Sequence, residues 1–246
     1  AAGKGTFSTE EVIYQVKRCR LSERVNHRTL ILPQLAAAGV AALKLKDGCG
    51  FRGKFGPVRI ADLPQFLDND MQTDEQMRSV TSSLLERATL IPVEVCLIYK
   101  PLLLSLFFVG LISGIGPDIF SLNSAMSRAV QFFTATLLAI TAGAIITPLC
   151  LPWIPGRQFW LKGLLAAIPA VVACSLLYYG VVSILSHLAL CSWIFASASY
   201  MAMNFTGSTP YTSLTGVERE MRHGIPLQLA ATCIALILWL ADPFFS

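Results

Sequence analysis

The chain has 246 residues, 54% of them hydrophobic and 14% charged, with a mean hydropathy of +0.60 and a formal net charge of +4. Soluble domains carry about 25% charge, so this balance excludes a wholly soluble protein, and a weak net charge without a basic run excludes nucleic acid as a partner. Fourteen of the nineteen Lys and Arg and eleven of the fifteen Asp and Glu precede Pro101, which divides the chain into a soluble domain, 1–100, and a membrane domain, 101–246.

The sequence opens at Ala1 without a Met, in what reads as the middle of a loop, and further residues are expected ahead of it. The opening AAGKGT precedes a helix, so its backbone amides offer a phosphate cradle, and the G-K of a P-loop would need its first Gly ahead of Ala1. Ser8 and Glu11 have capping-box spacing, and Val12, Ile13 and Val16 share a face, predicting a helix over Thr9 to Arg20. Thr29 to Leu32 reads as a buried strand ended by Pro33. Ala36 to Leu45 reads as a helix broken by Gly39, Phe51 to Pro57 as a second strand with a tight turn, and Asp62 to Leu67 as a short helix. Leu90 to Val95 reads as a last strand. Alternating helices and strands predict an α/β layer with a mostly parallel sheet, whose ligands sit beyond the carboxyl ends of the strands, at Leu32 to Gln34 and around Gly56.

Five apolar stretches come next: Pro101 to Ile115, Ala129 to Leu151, Leu161 to Leu185, Leu188 to Met203 and Pro226 to Ala241. Most approach the roughly 20 residues that cross a bilayer, predicting an all-α bundle of about five helices, with four crossings and a re-entrant helix as the alternative. Arg157 and Lys162 lie in the second connection and Arg219 and Arg222 in the fourth, whereas the tail after Ala241 has no Lys or Arg. Under the positive-inside rule the N-terminal domain is cytoplasmic and Ser246 outside. Trp153, Phe159 and Trp160 read as an aromatic belt, and Gly143, Ala144, Pro148 and Pro169 as packing and kinks. No Asp, Glu, Lys or Arg falls inside an apolar core, which argues against a transporter and for an anchor or platform. The connection Asn204 to Gly224 reads as a cytoplasmic loop with an amphipathic turn at Val217 and Met221.

Seven cysteines occur without a CxxC pair, which argues against a disulfide framework or zinc site. His27 reads as structural, and Cys19 and Cys49 as partly buried thiols.

AAGKGTF, then a helix, HRTLILPQL and FGPVRIADLP resemble, in order and spacing along nearly all of 1–100, the corrinoid-binding domain shared by the large subunit of the corrinoid iron–sulfur protein and the mercury-methylating HgcA proteins. In that family the opening motif is N-V-W-C-A-A-G-K, so Ala1, Ala2, Gly3 and Lys4 look like its second half, and the axial cysteine beneath cobalt is expected ahead of Ala1. The resemblance implies a corrinoid (cobalamin-like, cobalt-containing) cofactor held by a cap continuing through Gly3, Lys4, Gly5 and Thr6. It also implies one edge loop at Leu32, Pro33, Gln34 and Leu35 and another at Phe55, Gly56 and Pro57. No catalytic residue or protein metal ligand is assigned within the chain.

Transmembrane helices after the domain favour the mercury-methylating branch over the soluble, barrel-bearing one. The implied reaction transfers a methyl group, received from a methyl-folate-dependent donor, to Hg(II), with a ferredoxin-like iron–sulfur protein returning cobalt to its reduced state. The implied location is the inner (cytoplasmic) membrane, with lipid as a further partner. A membrane-anchored corrinoid methyl carrier for another acceptor and a non-catalytic docking subunit remain alternatives.

Overall fold

A computed structural model describes residues 7–80, 83–117, 119–208 and 214–245. The chain forms two compact units, 1–81 and 82–246.

In the first unit, α1 (Thr9–Arg18) starts at Ser8, whose hydroxyl accepts the Glu11 N–H at 3.2 Å, as the sequence spacing predicts. Val12 enters a core with Leu32, Ala36, Val40 and Leu45, and Ile13 and Val16 pack against it. After the single turn α2 (Leu21–Arg24) comes strand β1 (Thr29–Leu32). Pro33 ends it, having no N–H for a ladder, and leads into a 3₁₀ turn over Gln34–Ala38. Helix α3 (Ala42–Cys49) lacks a local side-chain cap; the Ala41 N–H instead donates to the Thr9 hydroxyl at 3.0 Å. Gly50 takes the left-handed conformation, φ +78°, that turns the chain from α3 into β2 (Arg52–Phe55). β1 and β2 pair in parallel, Leu32 opposite Phe55. Helices α4 (Leu63–Asp68) and α5 (Glu75–Arg78) complete the unit.

The expected parallel pairing is present, but the sheet it forms has two strands. Leu90–Val95, expected as a strand, belongs to a helix: Pro92 suits a first helical turn, where its missing N–H costs nothing. The units divide between residues 81 and 82, not near Lys100. Composition marks where charge thins out, whereas compactness marks where packing begins.

The second unit opens with α6 (Leu84–Ala88), whose Ser83 and Glu86 close a reciprocal capping box. Arg87, buried, reaches the Pro148 carbonyl at 3.5 Å and lies over the Trp153 ring. Helix α7 (Ile91–Ile112) leads through the two-residue strands β3 (Ile115–Gly116) and β4 (Ile119–Phe120) into α8 (Leu122–Ile140). The helix continues as a π-helical segment, Thr141–Ile146, and a last turn, α9 (Thr147–Leu149). Helices α10 (Phe159–Leu177) and α11 (Ile184–Asn204), a 3₁₀ turn over Phe205–Ser208 and α12 (Leu214–Phe245) complete the bundle.

The chain is about 73% helical. Among the described residues, four helices are long and apolar enough to cross a membrane: Leu122–Leu149, Phe159–Leu177, Ile184–Asn204 and Gly216–Phe245. The expected first span, Pro101 to Ile115, lies largely within α7, which starts earlier, at Ile91, and ends at Ile112; among the described residues its apolar stretch is Ile98–Ile112, shorter than the four spans. The expected loop up to Gly224 is helical from Leu214 onward, and Pro226 and Pro243 sit inside α12. A membrane helix tolerates them where neighbouring groups take up the freed carbonyls.

The bundle core is rich in alanine: Ala135, Ala139, Ala142, Ala167, Ala170, Ala189 and Ala198 join Phe132, Leu190, Ile194 and Trp239. Two glycines explain how tightly it closes. A Cβ on Gly163 would lie 2.6 Å from the Ala202 Cβ and 2.8 Å from the Ala198 carbonyl oxygen, and one on Gly143 would lie 2.6 Å from that same oxygen. Helix α11 is thus met by bare backbone from two sides, the close approach that small residues permit in membrane bundles.

Candidate functional site

The two loops that the sequence singles out at 32–35 and 55–57 come together. Both lie at the carboxyl ends of the parallel pair. The Gly56 N–H donates to the Leu32 carbonyl at 2.8 Å, and the Gln34 N–H reaches the Pro57 carbonyl at 3.5 Å. Leu32, Gly56 and Pro57 are buried, Gln34 and Phe55 half-buried, and Pro33 and Leu35 exposed, so an apolar rim stands on a fixed backbone floor. Gly56 has to be small: a Cβ there would lie 2.9 Å from Ile31 Cγ2 and 3.6 Å from the Phe66 ring.

A cleft beyond the second loop escaped the sequence reading. It encloses about 260 Å³ and is lined by Arg59, Asp62, Gln65, Asp74, Gln76, Met77 and Ser79, and the Val58 N–H donates to the Met77 carbonyl at 2.9 Å, tying its two sides together. One cation, two carboxylates and two amides converge there. Arg59 and Asp62 stand within the segment FGPVRIADLP; the contribution of Asp74 to Ser79 has no motif to betray it.

Ala1, Ala2, Gly3, Lys4, Gly5 and Thr6 lie outside the described residues. Cys19 caps α1 and is exposed. Cys49 ends α3, ahead of β2, so the strand separates it from the paired loops; its thiol donates to the Leu45 carbonyl at 3.1 Å. Among the described residues no group of three or more His, Cys, Asp or Glu is placed to hold a metal ion.

The bundle holds charges that the sequence reading assigned to loops. Arg128 is 8% exposed; its guanidinium donates to the carbonyls of Ser113, at 3.2 Å, and Trp239, and stacks on the Trp239 ring. Ser113 caps the carboxyl end of α7, where free carbonyls attract a cation. Asp242 accepts from the hydroxyls of Ser183 and Ser186 at the start of α11. Glu220, on α12, accepts the Phe159 N–H at 2.8 Å and the Trp160 N–H at 3.4 Å, capping α10 from a neighbouring helix. These three charges secure helix ends, so their burial is explained by structure. Their signal in the sequence is weak, because each lies near a span end where loop and helix have similar composition.

No family model, curated protein or solved structure matches this chain.

Proposed function

We propose that this chain is a membrane-anchored corrinoid methyltransferase that forms methylmercury from Hg(II), with a methyl group drawn from a methyl-folate-dependent donor. The observation that carries the reading is the meeting of two motif segments: HRTLILPQL runs through β1, FGPVRIADLP starts at the last residue of β2, and Leu32 lies opposite Phe55 in the parallel pair. In α/β sheets the carboxyl ends of the strands are where ligands bind.

The residues suit a corrinoid in two respects. A macrocycle needs an apolar edge to rest on, which Pro33 and Leu35, both exposed, offer, with Phe55 half-buried beside them and Leu32, Gly56 and Pro57 buried behind. Its amide arms need polar partners, which Gln65, Gln76, Asp62 and Asp74 offer in the adjoining cleft. Gln34, half-buried at the join, orients the ring edge. A bound corrinoid supplies a cobalt-held methyl group that leaves with its bonding pair to an electrophilic metal; the protein positions it and limits water. On the resemblance, a ferredoxin-like iron–sulfur protein would return electrons to the bound group.

The bundle anchors the unit in the inner membrane, the soluble unit facing the cytoplasm. Helix α7, about 33 Å long at 1.5 Å per residue, joins the four spans as a fifth crossing, Lys100 extending toward the interface. Five crossings put the last helix end opposite the soluble unit and four put both on one side, so a reporter fused after Ser246 decides the count.

The decisive assay uses the gene's full-length product, loaded anaerobically with methylcorrinoid and given Hg(II), with Leu35→Glu, a change at an exposed position of the loop, beside it. Methylmercury from the unchanged protein, and corrinoid affinity reduced about tenfold in the variant, one step of 1.4 kcal/mol, uphold the proposal. Corrinoid binding without methylmercury moves the assignment to a methyl carrier for another acceptor. Absence of corrinoid binding removes both.

A further inference from the structure

Within the bundle, two adjoining cavities of about 340 and 280 Å³ run between α7 and α12, with α8 and α11 behind them. Ser105, Trp193 and Thr232 line both, making one groove. Its walls are apolar except for a few oxygens and one amide, Gln228, which is 7% exposed and lines the larger cavity.

The hydrogen bonds fix what this groove lacks. The Ser199 hydroxyl donates to the Trp160 carbonyl at 3.0 Å, so its oxygen accepts from Gln228 Nε2 at 2.9 Å. That chain sets the orientation of the amide and leaves Oε1 as a buried acceptor without a donor. Three of the surrounding hydroxyls are committed elsewhere: Ser105 donates to the Leu102 carbonyl, Thr232 to the Gln228 carbonyl, and Thr136 to the Phe132 carbonyl while accepting from Trp193 Nε1; Ser197 and Tyr200, which also line the larger cavity, make no hydrogen bond to Oε1. An unpaired buried acceptor costs roughly 1–3 kcal/mol, so the groove is complementary to an apolar molecule that brings its own donor.

Depth narrows the choice. Gln228 lies about 18 Å along the helix from Gly216, the start of its span, at 1.5 Å per residue, well inside a hydrocarbon layer of about 30 Å. A phospholipid head is too polar for that depth, and a quinone or ester carries acceptors only. A single hydroxyl on a long chain meets both demands.

We propose that the groove between α7 and α12 binds a long-chain lipid alcohol, its chain along the apolar walls and its hydroxyl donating to Gln228 Oε1 after a small rotation of the amide.

The test takes the full chain in lipid nanodiscs and a photoreactive hexadecanol, with unlabelled hexadecanol or hexadecyl methyl ether as competitor. Crosslinks on α7 and α12 peptides, competed about fivefold to tenfold better by the alcohol than by the ether, are expected from one hydrogen bond. Gln228→Leu should erase that preference while chain binding persists. Ser105→Phe, on the opposite wall and outside the Gln228 network, should abolish the crosslinks. Equal competition by alcohol and ether in the unchanged protein, or crosslinks away from the groove, overturns the proposal. If Gln228→Leu fails to fold, the competition in the unchanged protein and the Ser105→Phe result still decide it.

Discussion

The two units treat charge in opposite ways. In the first unit Arg59, Asp62 and Asp74 line an open cleft beside the paired loops, where water meets their solvation. In the bundle Arg128, Glu220 and Asp242 are buried and bound to helix ends, because a free N–H or carbonyl there has no water to fall back on. Charge in the first unit lines an open surface, and in the second it is a fastener. The same residue type therefore predicts different consequences when it is removed.

Arg128→Leu is the strongest way to break the comparison. It strands the Ser113 and Trp239 carbonyls, and with charge-assisted bonds worth roughly 1.5–3 kcal/mol each the bundle should lose about 4 kcal/mol, read as a lower thermal midpoint in detergent. Gly163→Val tests closeness without charge. Overpacking against Ala202 and the Ala198 carbonyl should cost about 2–3 kcal/mol in the same melt. Glu220→Gln keeps an acceptor at the start of α10 but removes its charge, for a loss of about 1 kcal/mol; a larger loss would mean that the carboxylate does more than cap. By contrast Asp74→Asn in the cleft of the first unit should leave stability within about 0.5 kcal/mol and, on the proposed function, weaken corrinoid binding alone.

Local effects belong to α1. Ser8→Ala should cost about 1 kcal/mol locally, seen as faster hydrogen exchange over residues 9–18. Glu10, fully exposed, is held below the ordinary carboxylate range by its own backbone N–H, then by the Ser8 hydroxyl and Lys44. Its folded pKa lies below its unfolded one, so its support is present above the unfolded value and lost as pH falls through the folded value. Glu10→Gln should therefore slightly raise exchange over α1 at neutral pH and change nothing in acid.

Much of this was legible from residues alone. Ser8 and Glu11 announce α1, the runs Thr29–Leu32 and Phe51–Pro57 announce the parallel pair, and of the five apolar stretches the last four announce the four spans. The meeting of the paired loops is then dictated, since a parallel pair puts both strand ends at one edge. The features that escaped share a cause. A six-residue apolar run such as Leu90–Val95 has no period that separates strand from buried helix. Leu214 to Gly224 is polar enough to read as loop, yet Glu220 turns inward to cap α10. The cleft beyond Gly56 joins residues from 59 to 79 through one main-chain bond, and sequence carries no mark of that.

The π-helical segment at Thr141–Ile146 holds one more residue per turn than the α-helix around it. It works as a phase setter: removing one residue would restore an ordinary helix yet rotate everything beyond it by about 100°. Pro148, whose carbonyl receives Arg87, would then point elsewhere, and α6 would lose its mooring although no residue of α6 had changed. The winding of one helix thus determines where the first turn of the bundle is fastened.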